Sequence, residues 1–147
     1  MVVIWIAHLE ASSESRKAMI AKLLLQIAVG AGGFVPVSAG FAGMMLGPAI
    51  TGPEPASIDL DSHFRYLSGL LFGIGLAFWS TIPTIERRGQ LFRILTAIVF
   101  IGGLARLYGI ALHGWPGGPM IFGLIMELAV TPLLCIWQAA LPKTDKA

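Results

Sequence analysis

The sequence predicts an all-α protein: a four-helix transmembrane bundle, up-down-up-down, with both termini cytoplasmic. Three observations predict it. Of 147 residues, 56% are hydrophobic and only 12% are charged, whereas an average soluble domain carries about 25% charged residues. Four stretches reach the roughly 20 mainly apolar residues that a spanning helix needs. Lys and Arg gather in alternate connections, as the positive-inside rule requires. A length near 150 residues fits one domain. It divides into a short N-terminal segment (1–17), a four-helix membrane domain (18–141) and a cytoplasmic tail (142–147).

Residues 1–7 are apolar but short, and no Lys or Arg precedes them, so they lack the charged start and the length of a signal peptide. They read either as an extra turn or as sequence upstream of a true start at Met19. The first span covers about residues 18–38, with Lys22 near its start. Residues 23–53 hold no charge, but they hold many glycines and the prolines Pro36 and Pro48. The first helix is therefore expected to stop near Gly40, with residues 41–53 as a re-entrant or interfacial piece leading into a polar loop. The second span is about 66–85, the third 91–113 and the fourth 120–141.

Arg16, Lys17 and Lys22 precede the first span. Glu86-Arg87-Arg88 and Arg93 join the second to the third, and Lys143 and Lys146 follow the fourth. Residues 51–62 carry Glu54, Asp59 and Asp61 without Lys or Arg, and 114–119 carry no charge. The three basic segments thus fall on one side, which is the cytoplasmic one. Trp79, Trp115 and Trp137 lie towards span ends, where aromatic belts form. Short connections make neighbouring helices antiparallel. Gly69 and Gly73, with Gly75 near, and Gly102, Ala105 and Gly109 stand at spacings that let helix backbones approach. No internal repeat is visible, which weighs against an inverted-repeat transporter.

Two charges interrupt the apolar runs. Arg106 lies about seven residues before the end of the third span and Glu127 about seven after the start of the fourth, so both sit roughly 10 Å below the outer boundary. Ionisable groups at that depth are rare and are usually paired, buried or functional. A short turn makes their helices neighbours, and the Arg fork suits a carboxylate, so an Arg106–Glu127 salt bridge is expected. At the outer mouth of the second span, Asp61 and Arg65 are four residues apart on one helix face, with His63 between them and Tyr66 following. Arg65 can snorkel to the headgroups or turn inward towards Glu127. Asp61, Arg65, Arg106 and Glu127 together are neutral, as a low-dielectric interior demands. Thr131, one turn below Glu127, extends the polar path, and Pro132 is expected to bend the fourth helix. Tyr108 faces elsewhere than Arg106.

Other chemistries find little support. A nucleic-acid partner is not expected, because no basic stripe interleaved with aromatics exists. Cys135 is the only cysteine and stands in an apolar run, so it forms no intrachain disulfide and packs as a small apolar group. Of the three histidines, His8, His63 and His113, none is at mid-span, so no pair straddles a haem. His63 and His113 share the outer side, but with Asp61 or Glu127 their spacing matches no ligand motif. No metal and no cofactor are expected, and no Ser-His-Asp or Cys-His order is recognisable.

The stretch Asp61-Ser62-His63-Phe64-Arg65-Tyr66, the Gly-rich second helix, Glu86-Arg87-Arg88, Leu91-Phe92-Arg93, Phe100-Ile101-Gly102-Gly103-Leu104-Ala105-Arg106, and Glu127 with Pro132 together resemble the bacterial family called domain of unknown function 4345. The Gly-rich segment 40–48 is also like the one before that family's acidic loop. The resemblance covers about residues 22–138 and leaves out the first twenty. It implies a small four-helix integral membrane protein and no established activity.

Function stays open between three readings. The leading one is an inner-membrane, multi-pass protein with a periplasmic-side polar pocket for a small amphiphile or lipid-like ligand. In it, Asp61, His63, Arg65, Arg106 and Glu127 form the pocket. The second is an accessory subunit whose charges only fix helix packing. The third is a membrane enzyme with Glu127 as general acid or base. The partners the sequence admits are the lipid bilayer, that ligand, and a homodimer or larger membrane complex.

Overall fold

The computed structural model describes residues 1–52 and 56–142, with backbone alone for 2–4 and 6–11. The acidic Glu54 and the basic Lys143 and Lys146 lie outside the described residues. Among the described residues there is no strand, and four helices are long and apolar enough to cross a membrane. They are α1 (Val2–Leu46), α2 (Ile58–Thr81), α3 (Gly89–His113) and α4 (Gly118–Ala140). Short 3₁₀ turns, Gly47–Thr51 and Ile82–Thr84, follow α1 and α2. Internal contacts divide the chain into two compact units: Val29–Ile82, and Met1–Ala28 together with the residues from Pro83 on.

In the first of these units, α1 does not stop near Gly40 but runs on to Leu46, with Pro36 inside it. Proline and glycine break helices in water, yet they are tolerated in spanning helices when neighbouring helices satisfy or cover the backbone. Here α2 does the covering. Gly33, Gly40 and Gly43 are buried. A Cβ on Gly40 would lie 2.5 Å from the Phe72 backbone nitrogen and 2.8 Å from the Ser68 carbonyl oxygen. One on Gly33 would strike the Trp79 ring, and one on Gly43 the Ser68 hydroxyl. Trp79 Nε1 also donates to the Gly30 carbonyl at 3.0 Å. These partners step down α2 as the glycines step up α1, so the two helices run antiparallel. From α2, the buried Gly75 meets Val37 and Pro36 in the same way.

In the other unit, α3 and α4 also run antiparallel. Buried Gly103 faces Leu128 and Glu127, while Gly89 near the other end of α3 faces Gln138. Leu25, Ile85, Phe92, Leu95 and Leu141 are buried. Gln138 Nε2 donates to the Ile85 carbonyl at 2.8 Å and ties the end of α4 to the turn after α2. The glycine faces expected from spacing need correction. Among the described residues of their own units, Gly73, Gly102 and Gly109 have nothing within 4 Å of an added Cβ, and Gly69 has only Met44, at 3.8 Å. With 3.6 residues per turn, a shift from Gly102 to Gly103 rotates the position by about 100°, so spacing alone does not select the packed face.

Most large apolar side chains face outward, Ile27, Phe34, Ile101, Leu133 and Ile136 among them. Apolar surface of this extent is a liability in water, and it has the character that a bilayer suits.

Candidate functional site

α4 carries a π turn, Met126–Val130, followed by Thr131 and Pro132. Proline has no N–H to give back to the preceding turn, and the ladder shifts by one residue. Thr131 directs both its backbone N–H and its hydroxyl, at 2.8 Å, to the Met126 carbonyl. The disturbance expected at Pro132 is thus a widened turn, a feature that often marks functional positions.

Glu127 lies in that turn. Arg106 meets it from α3 with two parallel hydrogen bonds, Nε to Oε2 and Nη2 to Oε1, each 3.0 Å. The salt bridge expected from depth alone is present. Gly103, one turn before Arg106, lets the backbones approach: a Cβ there would lie 2.6 Å from Leu128 Cδ2 and 2.9 Å from Glu127 Cβ. The pair is not closed off. The Arg106 side chain is 34% exposed and that of Glu127 18%. Among the described residues the remaining fork nitrogen, Nη1, reaches only the Met120 sulfur, at 3.1 Å, and a thioether is a weak acceptor. Each carboxylate oxygen thus has one guanidinium partner, while Nη1 has only a weak acceptor among the described residues.

Asp61 and Arg65 form the second pair, with Nε to Oδ2 at 2.8 Å and Nη2 to Oδ1 at 3.1 Å. Ser57 caps α2, its hydroxyl accepting from the Leu60 N–H, and Asp59 and Asp61 sit in the first turn, where the helix dipole favours anions. Arg65 does not hang free. Its Nη1 donates to the Met44 and Met45 carbonyls, at 2.6 and 3.0 Å. The last carbonyls of a helix have no partner within it and form its negative end, so Arg65 caps α1. Gly47, just beyond, has φ +62°. A Cβ there would lie 2.6 Å from both Arg65 Nη2 and Asp61 Oδ1. Gly47→Ala is therefore expected to cost about 1–2 kcal/mol from the left-handed conformation alone. Thermal unfolding of the purified variant in detergent checks this; an unchanged melting temperature would remove Gly47 from the lock.

A third pair escaped the sequence reading. Lys22 Nζ lies 3.0 Å from Glu86 Oε2. The available signal was one of position: a cation closing one end of a long uncharged run, and the one anion in an otherwise basic turn, both at a span boundary. Burial pushes the Glu86 carboxyl up. Its own backbone N–H, the Lys22 contact and charge, and the charge of Arg87 together outweigh that and hold it below the usual value of 4.5. A depressed carboxyl adds stability that is full above its unfolded pKa and is lost as pH falls through the lower folded one. Acidification from pH 5 into that range should lower the melting temperature of the parent more than that of Glu86→Gln. Equal acid sensitivity would count against the pair.

Arg106 and Glu127 meet in one unit, and Asp61 and Arg65 meet in the other. His63 is exposed on α2, and His113 is exposed at the end of α3. Tyr108 is exposed, and Cys135 is half-buried and free. Among the described residues, no group of three His, Cys, Asp or Glu side chains could hold a metal ion.

No curated protein and no solved structure matches the chain. The model of one family, described as "Domain of unknown function (DUF4345)", matches residues 24–138, close to the 22–138 on which the motifs pointed to it. With most of its length matched, from within α1 to Gln138 near the end of α4, the chain belongs to this family.

Proposed function

We propose that the chain is a multi-pass inner-membrane protein, its termini cytoplasmic, that binds a small amphiphile or lipid-like molecule on the periplasmic side at Arg106. One observation carries this reading. The Arg106 side chain is one-third exposed within an apolar span, and among the described residues its Nη1 has only a thioether partner. A charged edge in hydrocarbon is costly unless something polar covers it. An anionic or carbonyl headgroup supplies oxygen acceptors for that edge, and its tail lies along the apolar outer surface of α3. Glu127 holds the guanidinium in orientation.

A second reading also has an observation behind it. Both Glu127 oxygens are satisfied by Arg106, and Arg65 caps α1, as befits an accessory subunit whose charges set helix packing. Native mass spectrometry of gently extracted protein separates the two. The ligand reading expects a co-purifying amphiphile that disappears in Arg106→Met/Glu127→Met while the melting temperature stays near the parent's. If that double variant keeps the adduct or full cellular function, the ligand reading fails.

A further inference from the structure

The unit built from Met1–Ala28 and the residues from Pro83 on has a cleft of about 350 Å³ at its basic end. Ala18, Met19, Leu141 and Pro142 form apolar walls, and Ser15 with the Lys22–Glu86 pair makes the polar part. Arg87 and Arg88 follow Glu86 directly and are exposed. Arg93 folds back towards the start of α3, its Nη1 3.5 Å from where a Gly89 Cβ would stand. Lys22 and Arg87 act on the Glu86 carboxylate, Arg88 reaches the Thr84 hydroxyl beside it with its Nε at 3.4 Å, and Arg93 adds a further cation on the same side of the chain. The level of the cleft is also defined. Lys22 is the last charge before the uncharged stretch of α1, and Glu86 to Arg88 lie between the apolar helices α2 and α3. That boundary is where headgroups reside, and basic pockets between spanning helices suit anionic ones.

We infer that this cleft holds the headgroup of an anionic phospholipid, its phosphate against Lys22 and the neighbouring arginines. The glycerol and first methylenes lie on Met19, Ala18, Leu141 and Pro142. Glu86 holds the Lys22 ammonium at 3.0 Å, and the ammonium keeps further N–H groups for phosphate oxygens. The apolar walls favour a lipid over free phosphate. This site is separate from that at Arg106, which lies about 25 Å further along α3 from Gly89. The failure of either leaves the other standing.

The test is native mass spectrometry of the full chain in detergent, titrated with phosphatidylglycerol, phosphatidylcholine or glycerol 1-phosphate. One phosphatidylglycerol should bind in preference to phosphatidylcholine, and glycerol 1-phosphate should not displace it. Arg88→Gln, at an exposed position, should weaken phosphatidylglycerol binding about fivefold, the share of one cation at an anionic surface. Ala18→Phe fills the cleft without changing charge and should abolish the preference while the melting temperature is retained. Should that variant misfold, Arg88→Gln carries the test by itself. Equal binding of the two lipids, Arg88→Gln without effect, a folded Ala18→Phe that keeps the preference, or displacement by glycerol 1-phosphate each overturns the inference.

Discussion

Glu127→Leu is expected to be among the most damaging single substitutions in the chain. It leaves the Arg106 guanidinium beside an apolar side chain, its two 3.0 Å hydrogen bonds gone. Breaking a fully buried pair by removing one partner costs about 3–5 kcal/mol. Arg106 is one-third exposed and can swing its head towards the interface, which brings the expectation to about 2–3 kcal/mol. The π turn offers no relief, because it is set by Pro132 and Thr131 rather than by the carboxylate. Arg106→Met added to Glu127→Met should recover most of the loss, since no charge is then stranded. A double-mutant cycle on unfolding in detergent measures the coupling directly. Coupling indistinguishable from zero would mean that the pair does not hold α3 to α4.

Gly40→Ala should rival it by a different route. The added methyl would stand 2.5 Å from the Phe72 nitrogen and 2.8 Å from both the Phe72 Cα and the Ser68 carbonyl oxygen, all of them backbone atoms of α2. A side chain can rotate away, but a helix backbone has to translate, and the Trp79–Gly30 hydrogen bond and the Arg65 cap resist that along the same face. Overpacking costs about 1–3 kcal/mol, and contact with backbone on both sides argues for the upper end. Gly73→Ala is the control: nothing lies within 4 Å of its added methyl, so it should be neutral or gain up to about 1 kcal/mol of helix propensity. Melting both variants in the same detergent decides the matter. If Gly40→Ala melts like Gly73→Ala, α1 and α2 are not packed through this glycine face.

The candidate site was legible to different depths for different residues. Arg106 and Glu127 stood out because a charge in an apolar run is a one-dimensional signal, and depth from the span ends was enough to pair them. The Asp61–Arg65 pair followed from spacing on one helix. The role of Arg65 did not, because its other acceptors, the Met44 and Met45 carbonyls, are backbone atoms of a helix that the glycines and Pro36 seemed to end at Gly40. Continuing α1 to Leu46 created the very carbonyls that Arg65 caps. The Lys22–Glu86 pair was hidden because its partners are 64 positions apart and only the fold brings the turn after α2 against α1.

The helical class, the four apolar helices and the family are all legible along the chain, since hydropathy and local motifs are properties of consecutive residues. The sequence also marked which charges have to find partners. Which glycines are contacts emerges only from the packing of the helices. Gly33, Gly40, Gly43 and Gly103 pack closely, while Gly73, Gly102 and Gly109 meet nothing within 4 Å in their own units. The physical reason is rotational phase. A helix repeats its chemistry along its length, but which angular face meets a neighbour depends on the neighbour, and no single helix encodes that. The same holds for Arg65 and Lys22, whose charges were plain in the sequence and whose partners were set by the helices packed against them.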